Sequence, residues 1–347
     1  MSPAERNARR LEQWADQMSP ALAREFRRMV QSLAPDEIAE IVRRLERGDI
    51  DTVVTELLAR SEAQAASTAV RARYAQGLLN ATRDAVRLLA VDLRVVMTAP
   101  VMSPELVAAV RRWEDGAFAR VREDIRAGLR ETIAIELQRG IGPRQVAVAL
   151  KGPLSPAGLT AYDARIVASF RQALTEGRFG DVLGSKRNGV YSGGRRLRDL
   201  RSDRTLAALQ RKGGQLTPEQ IDRMVAAYQR KLVAFRAETF ARTAALDAAN
   251  EANAVAWHEA VTQGRISENE VRRYWIVADD ERLCKVCAPI PGLNPTGVGL
   301  REPFVTPQGL VLHPTMHPQC RCTVYYRRER AGIRPAPAPG STRFVFA

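Results

Sequence analysis

All four cysteines of this 347-residue chain fall between Cys284 and Cys322, as a Cys284-Lys285-Val286-Cys287 pair and a later His317-Pro318-Gln319-Cys320-Arg321-Cys322 run. That clustering constrains the last third of the chain more than any other feature does. Two thiols three residues apart on a tight turn can reach one metal ion. Two thiols at i,i+2 on an extended segment face the same way and can close the site from the opposite side. Cys284, Cys287, His317, Cys320 and Cys322 are thus five candidates for four tetrahedral positions, with His313 a weaker sixth. Thiolates with imidazole favour zinc over magnesium or calcium, so one structural zinc ion is expected. Four protein ligands would leave no open position for catalysis. Reduced buried thiols without metal are the main competing reading. A Cys284–Cys287 redox pair is weaker, because no thioredoxin-like βαβ pattern surrounds it.

The segment around the cysteines needs a staple. It carries Pro289, Pro291, Pro295, Pro303, Pro307, Pro314 and Pro318 and few large apolar residues. A piece of about fifty residues buries too little surface to be secure alone. Two β-prone runs bracket it, Arg273-Tyr274-Trp275-Ile276-Val277-Ala278 and Thr323-Val324-Tyr325-Tyr326.

Upstream the pattern is helical, in keeping with a chain rich in Ala, Leu and Arg and only 6% aromatic. Residues 1 to about 65 read as short helices interrupted at Pro20, Pro35 and Gly48-Asp49. A longer helix is expected over 67–98, with Val70, Tyr74, Leu78, Ala85, Leu88 and Val91 on its apolar face. Ser103-Pro104-Glu105 reads as the cap and first turn of another helix, whose stripe runs from Leu106 to Leu137 and stops at Gly140. Shorter helices over 143–150 and 159–176 follow. Thr217-Pro218-Glu219-Gln220 is a capping box that opens a long helix ending at Gly264. The expected fold is mainly α: an extended helical N-terminal region, then a small α+β C-terminal module with the Cys/His cluster. The expected divisions are 1–100, 101–177, 178–216, 217–330 and a Pro-rich tail over 331–347. No targeting leader and no apolar run long enough to cross a membrane are read in the chain, so no membrane partner is expected.

The net charge is +14 and the pI about 10.3. That balance favours polyanionic partners and says nothing of fold. Residues 178–212 hold ten basic residues against Asp181, Asp199 and Asp203, with glycines at 180, 184, 189, 193 and 194. An extended basic arm is expected there, with Arg187, Arg195, Arg196, Arg198, Arg201 and Arg204 as candidate nucleic-acid contacts.

The order Arg236-Ala237-Glu238-Thr239-Phe240-Ala241-Arg242-Thr243, then Asn250, Trp257 and Gly264, resembles the phage Mu F-like head morphogenesis family. So do Tyr274-Trp275, the run Asp279 to Cys287, Pro291-Gly292, the closing His317-to-Cys322 signature and the upstream Gly140-to-Ala147 lead-in. The likeness covers roughly residues 130–326. One departure is Ala244, where the family usually carries a glutamate. The resemblance implies a minor capsid component of the portal vertex or head interior, made in the bacterial cytoplasm and acting in head assembly and in DNA packaging or delivery. Its implied partners are the portal protein, capsid or scaffold proteins and packaged double-stranded DNA, and it implies no enzymatic activity and no catalytic residues. Two alternatives stand beside it. One is a metal-dependent nuclease of treble-clef type, disfavoured because only His258, His313 and His317 are present. The other is a DNA-binding protein working through the basic segment. Glu268-Asn269-Glu270 fits an ExE pattern that ADP-ribosyltransferases use, but such a triplet is commonplace in a charged connection.

Overall fold

The computed structural model describes residues 2–100, 103–151, 156–187, 190–192, 197, 199–278 and 283–329. The fold is mainly α. From the N-terminus come α1 (Pro3–Gln31), α2 (Ile38–Glu46), α3 (Ile50–Ala59), α4 (Ser61–Leu93) and α5 (Pro104–Trp113). A π-helical turn (Glu114–Phe118) leads to α6 (Ala119–Gln138), α7 (Pro143–Lys151), α8 (Ala161–Thr175) and α9 (Phe179–Leu183). A hairpin of β1 (Ser185–Arg187) and β2 (Val190–Ser192) precedes α10 (Leu200–Lys212) and the 45-residue α11 (Pro218–Thr262). The C-terminal part holds β3 (Val271–Ile276), α12 (Ile290–Leu293), β4 (Val298–Gly299), β5 (Phe304–Thr306), β6 (Gly309–Val311) and β7 (Thr323–Arg328). Two compact units divide the chain. Described residues within 1–25, 69–117 and 238–347 form the first, and those within 26–68 and 118–237 the second.

Several boundaries follow from local chemistry. Ser103 caps α5 by accepting from the Leu106 amide at 3.3 Å, with Pro104 in the first turn, where its missing N–H costs nothing. Thr217 and Gln220 exchange the two bonds of a capping box, 3.3 and 2.9 Å, at the start of α11. Gly264 takes φ 66° just past the end of α11, and its neighbour Arg265 donates back to the Ala260 carbonyl.

Three expectations are corrected. The break at Pro20 does not occur, and α1 runs through it to Gln31. Pro20 is exposed, the Ser19 hydroxyl bonds the Ala15 carbonyl at 2.7 Å, and Leu11, Trp14, Ala15 and Leu22 keep one buried face across the proline. A helix-interior proline costs about 3 kcal/mol, and each fully buried leucine returns roughly 1.5–3 kcal/mol. The single stripe from Leu106 to Leu137 is interrupted by the π-helical turn, whose extra residue rotates the face so that Phe118 is buried and Ala117 only partly. The long helix over 67–98 begins at Ser61 and stops at Leu93, where Arg94 takes φ 56°. Toward that end Val86 and Leu89 are buried in place of Leu88 and Val91.

In the first unit, Tyr74 and Trp113 stack with centroids 4.0 Å apart, and Trp257 stacks on Tyr326 at 5.6 Å. The sheet has the order β4-β3-β7, all antiparallel, with Val271 opposite Arg328 and Ile276 opposite Thr323. Arg273 is buried in it with no carboxylate partner among the described residues. Its guanidinium donates to the carbonyls of Gly299 (2.9 Å), Leu312 (2.7 Å) and Glu302 and lies over the Phe304 ring. Three backbone carbonyls thereby satisfy a group too costly to bury alone.

The second unit has a core of Phe170, Leu174, Phe179, Leu206, Val225 and Tyr228. Gly128, inside α6, lies against the Leu159 carbonyl so closely that an added Cβ would sit 1.8 Å from that oxygen. Alanine is the better helix former by about 1 kcal/mol, so propensity alone predicts that Gly128→Ala stabilises. Packing predicts the reverse sign, a loss of about 1–3 kcal/mol. Urea denaturation of the full chain decides between them, and a midpoint that rises would refute the close approach.

Candidate metal centre

The two halves of the cysteine motif meet in the first unit. Residues 283–289 turn out of the region after β3. The Ala288 amide donates to the Cys284 carbonyl (3.1 Å) and the Cys287 amide to the Cys284 Sγ (3.2 Å), which fixes both sulfurs on one side of the turn. The second half is the 313–322 loop that feeds β7. Here the Cys320 amide donates to the His317 carbonyl at 3.1 Å, and Gln319 adopts φ 61°. His317 Nε2 stands 3.0 Å from Cys284 Sγ and 3.2 Å from Cys287 Sγ, while its Nδ1 faces the Pro318 carbonyl at 2.9 Å.

All five expected ligands are brought together, as two overlapping groups that share Cys287. The ligand atoms of Cys284, Cys287 and His317 lie within 4.8 Å of one another, and so do those of Cys287, Cys320 and Cys322. Cys287, Cys320 and Cys322 are buried and Cys284 is partly exposed. No disulfide joins them. The thiols already divide protons unequally. Hydrogen bonds with Cys287 and Cys322 hold Cys320 well below the ordinary thiol range, while the bonds that Cys287 makes with Cys320 and Cys322 raise Cys287. Burial opposes ionisation of Cys284, yet the Cys287 amide and nearby His317 keep its thiol below the usual value. The buried Trp275 indole N–H has no hydrogen-bond partner among the described residues, and the Cys322 thiol is raised: its bond with Cys287 lowers it, but Cys320 and burial outweigh that. Four clustered thiols and an imidazole edge are the donor chemistry of a soft-metal site. The residues present fit a metal ion.

Helix α11 holds the loop in place along one face. Thr243 Oγ1 accepts from the Gln319 amide (3.0 Å), and Thr239 Oγ1 from the Gln319 side-chain amide (2.9 Å). Asn250 Oδ1 accepts from the Val324 amide at 3.0 Å and its Nδ2 donates to the Cys322 carbonyl at 3.4 Å. Asn7 of α1 takes the Val324 carbonyl at 2.9 Å. Glu251 meets His313, Oε1 to Nε2, at 2.7 Å and also receives Arg112 of α5 at 2.9 and 3.0 Å. One turn away, Asp247 accepts from the Tyr74 hydroxyl at 2.7 Å.

Sequence reasoning placed His313 as a weaker sixth ligand. It is instead a partly exposed ion-pair partner, with Nδ1 against the Pro314 carbonyl at 2.5 Å. The Glu251–His313–Arg112 group, with Asp247 and Tyr74, has no local pattern in the sequence, since its members are spread from residue 74 to residue 313. Ala244, at the family's glutamate position, is buried, and the carboxylates that face the loop are Asp247 and Glu251. In the ExE triplet, Glu270 caps Ser267 and pairs with Arg328, and Glu268 pairs with Arg301.

The expected extended arm is corrected over much of its length, because residues 179–183 and 200–212 are helical. Phe179, Val182 and Leu206 are buried in the core of the second unit, and that burial orders a segment whose composition reads as a loop. Arg201 and Arg204 are exposed on α10, Arg187 lies in β1, and Arg195, Arg196 and Arg198 lie outside the described residues, as do residues 279–282 of the motif and the tail after 329. Among the described residues no helix is long and apolar enough to cross a membrane. Comparison with protein-family models, with curated proteins and with solved structures finds no match to this chain.

The Glu251–His313 pair sets a pH window. Burial alone would raise Glu251, but His313 and Arg112 pull it from 4.5 down to about 2. Burial alone would lower His313, but Glu251 and Asp247 lift it from 6.5 to about 9. A depressed acid contributes stability above 4.5 that is lost as pH falls toward 2. A raised histidine contributes stability below 6.5 that is lost as pH rises through about 9. Thermal unfolding is therefore expected to show its highest midpoint between 4.5 and 6.5, and His313→Gln is expected to flatten the alkaline decline. A variant with an unchanged alkaline limb would show that the pair does not set it.

Proposed function

We propose that the chain is a structural minor head protein of the phage Mu F-like type, acting at the portal in head assembly and DNA packaging or delivery. The observation that carries this reading is that the motif residues of the resemblance, dispersed over eighty positions from Thr239 to Gln319, interlock. Thr239, Thr243 and Asn250 of one helix grip the loop of the closing cysteine signature. The portal protein, capsid or scaffold proteins and double-stranded DNA are the partners of this reading. A structural role is further supported by the histidines. Both ring nitrogens of His313 and of His317 already face partners, which leaves neither in place to polarise a water for a nuclease.

In this reading one zinc ion sits in the cluster, held by Cys284, Cys287, His317 and Cys320, with Cys322 beside it. The ion closes a tetrahedral site and supplies folding free energy to a loop-rich segment. Protein purified without chelator is expected to hold close to one zinc per chain by elemental analysis. Cys287→Ser is expected to expose residues 283–329 to protease while the second unit stays resistant. Zinc-free protein with a protease-resistant C-terminal segment would leave the cysteines as buried thiols only.

The functional reading is tested in particles. Mass spectrometry of purified heads is expected to find the protein at low stoichiometry beside the portal. Its absence from mature and immature heads alike would overturn the reading.

A further inference from the structure

Helix α10 carries a charge arrangement that the sequence pattern hid. At about 100° per residue, Arg201, Arg204, Arg211 and Lys212 fall within roughly a third of the helix circumference. All four are exposed. The opposite face holds buried Asp203 and Leu206, and Leu206 packs into the core of the second unit. The helix has firm ends, for Asp199 accepts from the Arg201 amide at 3.0 Å and Gly213 closes it at φ 69°.

The acids of this region do not neutralise the stripe. Asp181 pairs with Arg178, Asp199 caps the helix and meets Lys231 at 3.2 Å, and Asp203 is buried. None of Arg201, Arg204, Arg211 and Lys212 has an ion-pair partner among the described residues. The chain leading into the helix adds Lys186, Arg187, Arg195, Arg196 and Arg198.

We propose that the exposed face of α10, formed by Arg201, Arg204, Arg211 and Lys212, is a rail that binds the phosphate backbone of double-stranded DNA without reading its sequence. The inference rests on the proposed place of the protein beside packaged DNA and assigns the surface that meets it. The four cations are spread over about 16 Å of helix axis, a length along which duplex DNA presents roughly ten phosphates. Binding to phosphates needs cations and no apolar anchor. A protein partner would call for an apolar centre, and Leu200, at the helix start, is the one large apolar residue exposed on α10. Arginine predominates, and its guanidinium suits phosphate oxygens bidentately.

The test compares the full-length protein with Arg201→Gln/Arg204→Gln/Arg211→Gln/Lys212→Gln, using a mixed-sequence DNA duplex titrated over a range of salt. Since all four side chains are exposed, circular dichroism and the urea midpoint are expected to stay unchanged. The log–log dependence of affinity on salt is expected to flatten by about three to four, at about 0.9 for each phosphate that the variant no longer neutralises. A charge-matched control, Arg9→Gln/Arg73→Gln/Arg83→Gln/Arg111→Gln, removes four exposed arginines of the first unit and is expected to change the slope far less. Equal losses of affinity in both variants would mean net charge alone binds DNA and would overturn the proposal. So would an α10 variant that keeps its DNA affinity but no longer associates with heads, which would assign the stripe to an acidic protein surface. Failure of the head-protein reading shows separately, as absence of the wild-type chain from particles.

Discussion

The cysteine loop depends on one polar face of α11. The loop from His313 to Cys322 has almost no regular structure of its own; its Gln319 amide finds Thr243, its Cys322 carbonyl finds Asn250, and the Gln319 side chain finds Thr239. A loop without a ladder must satisfy those groups elsewhere, because each one buried unpaired costs about 1–3 kcal/mol. Gln319 makes the arrangement specific. Its φ of 61° turns its amide toward Thr243 while its side chain reaches Thr239 one turn below. Holding the chain there aims His317 and Cys320 at the Cys284–Cys287 turn. Sulfur geometry at the cluster is thus a consequence of oxygen and nitrogen chemistry on the helix.

Charge completes the grip. Glu251 is buried and His313 largely so, and an unpaired carboxylate would not be tolerated at that depth. Arg112 adds two bonds to the same carboxylate, and Tyr74 satisfies Asp247 one turn away. Breaking such a group by removing one partner strands the other, which is costlier than the pair is worth in place. The network therefore fixes which part of the loop meets which turn of the helix. The exposed face of α10 follows the opposite logic, with four cations left in solvent, where they cost little and keep their charge available.

Much of this was legible in the sequence where a feature is local. The Ser103 cap, the Thr217–Gln220 box, the glycine after α11, the two strands that pair as β3 and β7 and the five cysteine-site residues all announce themselves within a few positions. What was not legible depends on distant partners. Pro20 reads as a break until the buried face on both sides of it is known. The basic segment reads as a loose arm until Leu206 and Phe179 find their core. His313 reads as a spare ligand until Glu251, 62 residues earlier, is seen to hold it.

We propose that one metal ion joins the two halves of the cysteine motif, with His317 among its ligands. X-ray absorption at the zinc edge, on the full-length protein purified without chelator, tests it most directly. The account predicts three sulfurs at about 2.3 Å and one nitrogen at about 2.0–2.1 Å around a single zinc. A first shell of four sulfurs would remove His317 from the site, and a shell of oxygens and nitrogens without sulfur would contradict the account altogether.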